Sequence, residues 1–373
     1  MKTSYRILAW LFTAFLAVGL IVNTILPDKG YSDSEKRELG ALPKFTASSA
    51  LAGDFTREFD TYVSDQFFAR DMWVSIKGMS QYLSGMKLLN DVYITRDRYI
   101  GNFKISDKER LQNNIDAIKK LASNAHVPVT LLMVPESIAV YEDRLPRFAG
   151  PSDQKALAER ITRELDGKVR VVFPLDDLKA HKDEYIYFRT DHHWTPRGAL
   201  YGYNALQEAL GRPLTAMPEF RAVADDFKGS MLFKAGITMP NIKLDTLEAP
   251  IGYENSDFSI VINDGKKEND GLMFDESHLK GSDKYRFYQG GNQPLMAIAS
   301  NTGTGSALVL KDSFCNDMMP YFAADYKTMY VADMRFNRMS MAKYAKDMNV
   351  NEIILVYSSS TLCNEFSLAW LAN

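Results

Sequence analysis

Two of the five histidines stand side by side in Asp191-His192-His193-Trp194, continued by Thr195-Pro196-Arg197-Gly198-Ala199. A carboxylate two residues before an imidazole suits general-base chemistry. It accepts a hydrogen bond from one ring nitrogen, fixes the tautomer and leaves the other nitrogen to take a proton. Such a base needs a nucleophile, and a serine hydroxyl is weak until its proton is removed. Ser313, in Ala307-Leu308-Val309-Leu310-Lys311-Asp312-Ser313-Phe314, follows a strand-like apolar run, and a helix can begin at Phe314. In extended backbone, residues i and i+2 share a side. Asp191 and His193 then converge on one cleft while His192 points elsewhere. The catalytic reading is Asp191, His193 and Ser313, whose hydroxyl would lie near backbone N–H groups able to stabilise an oxyanion.

Plainer readings stand beside it. Ser313 alone suits a helix cap, and His192 and His193 alone suit buried histidines bonded to backbone. An Asp-His-His cluster also suits zinc or manganese, but further ligands at a recognisable spacing are missing, so no metal and no cofactor is assigned. Trp194 reads as packing rather than sugar stacking, Arg197 as support for the motif, and Asp312 as a cap. Lys311 has no assignment. Cys315 and Cys363 have neither metal nor redox spacing, though an oxidising compartment allows them to pair.

The elements that must position these residues alternate. Residues 51–85 carry Phe55, Phe59, Tyr62, Val63 and Phe67 at helical intervals. Asp91-Val92-Tyr93-Ile94 and Arg98-Tyr99-Ile100 read as a short hairpin. Ser106 and Glu109 form a capping box ahead of a helical face at Leu111, Ile115, Ile118 and Leu121. The run 127–134 suits a strand buried on both faces. A helix over 153–166 and a strand over 169–173 follow. Thr195 is a good N-cap with Pro196 at the first helical position, and Gly211 a plausible stop. Residues 212–300 read as an insertion with β character. Strands near 306–311, 328–333 and 352–357, with a helix near 336–349, restore the βαβ rhythm. This is an α/β chain with a parallel sheet covered by helices on both faces.

The N-terminus differs from the rest. Residues 7–26 form an apolar run interrupted only by Thr13, Asn23 and Thr24, with Lys2 and Arg6 ahead of it. About 20 apolar residues span a hydrocarbon core, and the preceding charges favour a cytoplasmic N-terminus. Residues 1–26 therefore read as cytoplasmic tip and anchor, 27–50 as a juxtamembrane linker, and 51–373 as an extracytoplasmic domain. Asn23-Thr24-Ile25-Leu26-Pro27 offers no small-residue cleavage site. A net charge of −3 gives no electrostatic footprint for nucleic acid.

Asp191-His192-His193-Trp194 resembles the signature of the DHHW family. Asp191, His193, Trp194, Thr195, Pro196, Gly198 and Ala199 also resemble the motif of the alginate O-acetyltransferases AlgJ and AlgX. Further family-like landmarks are Ser34-Glu35-Lys36-Arg37, Asp65-Gln66-Phe67 with Arg70, Asp91-Val92-Tyr93-Ile94, Val134-Pro135, Phe227-Lys228-Gly229-Ser230 and Asp333-Met334-Arg335. The resemblance implies an SGNH hydrolase-like fold in circularly permuted order, with Asp191 and His193 ahead of Ser313. Lys311 stands where the usual Gly-Asp-Ser block has glycine, and for the oxyanion glycine and asparagine that the resemblance implies, Gly291 and Asn292 of Gly290-Gly291-Asn292 are the candidates. By this resemblance the chain is an O-acetyltransferase acting on a cell-surface or secreted polysaccharide, supplied with acetyl groups by a membrane-bound O-acyltransferase. A carbohydrate esterase, or a non-catalytic polysaccharide-binding subunit of an export complex, are the alternatives.

The anchor reading makes a direct expectation: N-terminal sequencing of the mature protein finds a start before residue 7. A start beyond Leu26 would identify a cleaved signal instead.

Overall fold

Residues 129–134 are buried throughout, and neighbours alternate between two apolar faces. Val129, Leu131 and Met133 belong to one core cluster, whereas the equally buried Leu132 and Val134 do not. Leu308 and Leu310 alternate in the same way with Val309, and Ile353 and Leu355 with Ile354. Strands apolar on both faces have to be covered on both. In the computed structural model of the chain, which describes residues 2–32, 37–150, 152–165, 167–263 and 267–373, they form the middle of an eight-stranded sheet.

The strands are β1 (Val129–Val134), β2 (Arg170–Val172), β3 (Phe258–Asn263), β4 (Glu268–Gly271), β5 (Leu295–Ser300), β6 (Ser306–Lys311), β7 (Thr328–Ala332) and β8 (Glu352–Ser358). Their order is β4-β3-β5-β7-β6-β8-β1-β2. The block from β7 to β2 is parallel, and β5, β3 and β4 extend it antiparallel. β6 lies in the middle of the parallel block, with Val309 opposite both Val331 and Ile354.

Helices α1 (Lys108–Asn124), α2 (Gln154–Leu165) and α4 (Met341–Asp347) cover one face through Leu111, Ile115, Ile118, Leu157, Ile161 and Met341. Helix α3 (Pro196–Leu210) packs on the other face with Leu200, Tyr203 and Leu206 buried. As the pattern predicts, Thr195 caps α3 and Gly211 closes it at φ +68°.

The structure departs from the sequence reading in several places. The cap of α1 is Asp107, whose carboxylate accepts from the Glu109 and Arg110 N–H groups, not Ser106. A carboxylate one residue on can take two helix-end donors at once, which outcompetes the serine box. The helix expected over 51–85 is two helices, Asp54–Asp65 and Arg70–Leu83, broken where Ala69 takes φ +53°. Residues 212–300 are not an insertion beside the sheet: β3, β4 and β5 are its antiparallel edge, while Phe220–Phe227 pairs with Asp245–Pro250 as a separate ribbon. Helix α4 is shorter than 336–349, starting after the Ser340 cap. The hairpin Val92–Ile94 with Tyr99–Gly101 forms as expected. Cys315 and Cys363 are buried and free.

The chain divides into two compact units, Met1–Asn90 with Leu232–Met239, and Asp91–Met231 with Pro240–Asn373. The second begins at Asp91 rather than at residue 51. In the first, Thr3–Ile25 is one helix of spanning length and composition. The stretch read as a linker contains the strand pair Tyr31–Ser32 with Arg37–Glu38 and a helix, Ala47–Leu51, capped by Thr46. Residues 33–36, including Ser34, Glu35 and Lys36 of the first landmark, lie outside the described residues.

Gly198 has a packing reason. A Cβ there would lie 2.1 Å from the Ile186 carbonyl oxygen. Gly198→Ala is expected to destabilise the protein by about 1–3 kcal/mol or more, as overpacking does. Gly150→Ala, where nothing lies within 4 Å, should stay within about 0.5 kcal/mol. Thermal or denaturant melts of the two variants check the difference.

Candidate active site

Strand β6 ends at Lys311, and the next two residues turn the chain at the carboxyl end of the sheet, where open α/β sheets gather their reactive groups. Asp312 is buried and makes the turn. Its carboxylate accepts from the Phe314 N–H (3.0 Å) and from the Ser358 N–H at the end of β8 (2.8 Å). Ser313 opens a 3-10 turn, Ser313–Cys315, rather than a regular helix; the α-helix comes later, at Met319–Asp325. The Ser313 carbonyl is held by the Tyr285 hydroxyl (3.0 Å) and the Asn316 N–H (3.1 Å).

The opposite wall is the loop entering α3. Phe188 N–H donates to the His193 carbonyl, and Thr195 N–H to that of Ile186, which closes residues 186–195 into a tight loop. Trp194 locks it to the Ser313 turn: its indole N–H donates to the Phe314 carbonyl (2.7 Å) and the Asp317 carboxyl (2.9 Å). The indole is fully buried against Gly202, where a Cβ would sit 2.7 Å from the ring. Trp194 therefore packs, as read from the sequence.

These two walls bring His193 to Ser313 across 120 residues of chain. His193 Nε2 is 2.8 Å from Ser313 Oγ, and His193 Nδ1 is 2.6 Å from Asp191 Oδ1. Asp191 also accepts from the His193 N–H (3.1 Å) and the Ser230 N–H (2.7 Å). Gly229 gives Asp191 its room, since a Cβ there would lie 2.3 Å from that of Asp191. Behind them, buried Asp245 accepts from the Arg189 N–H (2.6 Å), the Thr190 N–H (2.7 Å), the Thr190 hydroxyl (2.5 Å) and the Tyr185 hydroxyl (2.8 Å).

His192 does not point away. Its ring lies 3.8 Å from that of His193, centroid to centroid, with Nδ1 2.7 Å from Ser230 Oγ and 3.3 Å from Asp191 Oδ1. Residues 189–193 form a bend, so the two-residue alternation of an extended strand does not apply there. On the other side of His193, Tyr285 stacks almost parallel at 4.1 Å and 6°. Arg197 stands apart from the cluster, gripping Glu248 through two hydrogen bonds (2.8 and 3.1 Å) and tying α3 to the ribbon. Of the oxyanion candidates, the Gly291 N–H already donates to the Tyr288 carbonyl (2.9 Å). The Asn292 side chain bonds to Lys311 and Asn316 beside the Ser313 turn.

Sequence reasoning did not find Ser230, Asp245 or the role of Tyr285. Phe227-Lys228-Gly229-Ser230 was visible as a landmark without a role, and Tyr285 as part of an aromatic run. Asp245 carries no local signal.

The electrostatics follow from the packing. Burial lowers the pKa of His193, and His192 adds to the effect; Asp191 works against both, and the group settles at about 4. Burial alone would raise Asp191, but His192, His193 and the Ser230 N–H overcome it and hold the carboxyl well below its ordinary range. Burial pushes Asp317 strongly up, only partly countered by Trp194. Asp191, His192 and His193 offer ligand atoms within 4.8 Å of one another, a set that suits a divalent metal. Those nitrogens and oxygens are already engaged with one another and with Ser230 and Ser313.

An α/β sheet carrying this pair of segments in the order Asp, His, then Ser is an SGNH hydrolase-like fold. The chain belongs to the DHHW family, whose model, described as "DHHW protein", matches residues 96–332. Its fold is shared by a DHHW family protein from Eubacterium siraeum (20% identity over 76% of this chain and 96% of the other, TM-score 0.60). PatB1 of Bacillus cereus is similar to the same degree (20% identity over 74% and 98%, TM-score 0.60). It has also been solved with a sulfonyl adduct (20% identity over 74% and 97%, TM-score 0.59). No curated protein sequence matches the chain.

A His193 pKa near 4, depressed from 6.5, has a defined sign. The unfolded chain binds that proton more readily, so the associated stability is complete above about pH 6.5 and lost as pH falls toward 4. Imidazole NMR titration should find the His193 midpoint near 4. In His192→Ala the midpoint should rise, because His192 is one of the groups holding it down. A midpoint at 6.5 in the native protein would contradict the buried, neutral base.

Proposed function

We propose that this protein is a membrane-anchored, extracytoplasmic O-acetyltransferase that works through an acyl-serine on a cell-surface or secreted polysaccharide. The observation that carries the reading is the chain of two short contacts, Asp191 to His193 Nδ1 and His193 Nε2 to Ser313 Oγ, at 2.6 and 2.8 Å. That geometry suits proton removal from the serine. His193 takes the Ser313 proton as Oγ attacks the acetyl carbonyl, then returns it to the leaving group. A sugar hydroxyl enters, loses its proton to the same nitrogen and attacks the acyl-serine. Its ester departs as the proton passes back to Ser313 Oγ. Asp191 steadies the imidazolium in both halves. The same acyl-serine opened by water would give an esterase, so the acceptor decides the reaction class.

Three further features support the reading. The Asp-x-His-Trp-Thr-Pro-x-Gly-Ala motif resembles that of the alginate O-acetyltransferases. The sulfonyl adduct on PatB1 fits a fold whose site can present a nucleophile. The helix Thr3–Ile25 has the length and composition to hold the chain at a membrane. There a membrane-bound O-acyltransferase is the proposed acetyl donor.

Acetyl transfer from an activated ester to an oligosaccharide, with folding checked for each variant, tests the proposal. Ser313→Ala and His193→Ala should each abolish transfer. Asp191→Asn should cost orders of magnitude, about 10⁴-fold in a well-studied triad. His192→Ala should retain much of the activity. A sulfonyl fluoride should label Ser313 and no other residue. Near-normal transfer by Ser313→Ala would refute the nucleophile. Loss on chelation with recovery on adding a divalent ion would replace the acyl-serine with metal chemistry. Release of free acetate with the acceptor untouched would make the protein an esterase.

A further inference from the structure

Lys311 is fully buried, and its neighbours make that unusual. An ammonium removed from water is costly unless it is paired. Among the described residues Lys311 forms no ion pair within 4.0 Å; its hydrogen-bond acceptors are two neutral amides. Nζ donates to Asn292 Oδ1 at 3.2 Å and to Asn316 Oδ1. Asn316 Nδ2 then reaches Asn292 Oδ1 at 3.4 Å. Nζ is the donor in both bonds, so each amide turns its oxygen toward the lysine. That removes the freedom an asparagine otherwise has to present either end.

The consequence falls on Asn292. Its oxygen is committed to Lys311 and Asn316, and its NH₂ group is directed to the other side. Asn292 is partly exposed, whereas Lys311 and Asn316 are buried. The backbone before it is shaped for this. Gln289, Gly290 and Gly291 run at φ +52°, +69° and +98°, and Arg286 Nε donates to the Gly290 carbonyl. Asn316, the third member, donates its N–H to the Ser313 carbonyl. The network therefore links the Asn292 loop to the Ser313 turn through one buried lysine.

We infer that Lys311 is a positioning residue: it fixes the Asn292 amide so that the NH₂ group, not the oxygen, faces the carbonyl oxygen of an acyl group on Ser313. The inference rests on the reading of Ser313 as the acyl carrier.

The test is a double-mutant cycle on the full-length protein, read as kcat and KM for acetyl transfer from an activated ester. Asn292→Ala should lower kcat by about 10²–10³-fold, the loss typical of one oxyanion donor. Lys311→Met should lower kcat by about 10-fold or more with KM within about twofold, as for an interaction made only in the transition state. The double variant should be no slower than Asn292→Ala alone, because the lysine acts through that amide. Asn292→Asp keeps an acceptor for Lys311 but removes the donor. It should retain the native melting temperature and lose at least as much kcat as Asn292→Ala. Additive effects in the cycle, or native kcat in a folded Lys311→Met variant, would overturn the inference. If Lys311→Met does not fold, Asn292→Asp decides alone, and native kcat there overturns it. Absence of any Ser313-dependent turnover in the unmodified protein would overturn both the inference and the function beneath it, which separates the two failures.

Discussion

The buried contact between Asp191 and His193 is the constraint on which the rest of the site depends. A carboxylate in the interior is tolerable only if N–H donors surround it. Asp191 finds them in the His193 ring, the His193 backbone and the Ser230 backbone. Each donor imposes a demand elsewhere. Ser230 approaches that closely because Gly229 has no side chain. The bend that turns Asp191 inward is held by Asp245, which gathers four donors from Tyr185, Arg189 and Thr190. A second buried carboxylate thus stabilises the loop that presents the first. The ribbon carrying Asp245 is fastened in turn to α3 by Arg197 and Glu248.

The two halves of the site are remote in the chain and near in the sheet. β6 delivers Ser313 from the middle of the parallel block, and the α3 entry loop delivers His193 over it. Direct bonds between the halves keep them in register. Trp194 donates to Phe314 and Asp317, and Tyr285 spans the two by stacking on His193 while donating to the Ser313 carbonyl. Asp312 adds a third tie, from the Ser313 turn to the end of β8. For the reaction proposed, such redundancy matters, because a shift of about 1 Å at a reacting pair can cost about 100-fold in rate.

What could be read from the sequence was local, and what could not was tertiary. The strands at 129–134, 306–311 and 352–358 were legible because each is a short β-branched, apolar run. The start and stop of α3 were legible because a capping threonine, a first-turn proline and a closing glycine act within their own neighbourhood. Asp191, His193 and Ser313 were legible because side-chain chemistry restricts which residues can serve. His192 was misjudged because its direction depends on a bend enforced by Asp245, 53 positions away in number and invisible to any local pattern. The antiparallel edge β3, β4 and β5 was taken for an insertion because alternation marks a strand without saying which sheet accepts it. Gly291 was a reasonable donor by residue type, yet the turn it makes uses its N–H.

The surroundings of His193 also say when its charge is welcome. In the resting protein burial and His192 disfavour the protonated ring, which keeps Nε2 available as an acceptor for the serine proton. Asp191 and Asp312 pull the other way, and the face of Tyr285 lies against the ring, where an aromatic quadrupole favours a cation. On the proposed reading, an imidazolium formed as Ser313 gives up its proton meets these three groups beside it. Preorganised charge of this kind is worth most in a site that excludes water. The low resting pKa is therefore not a defect in the base. It follows from burial and from His192, and the same burial strengthens the attraction between Asp191 and a protonated ring.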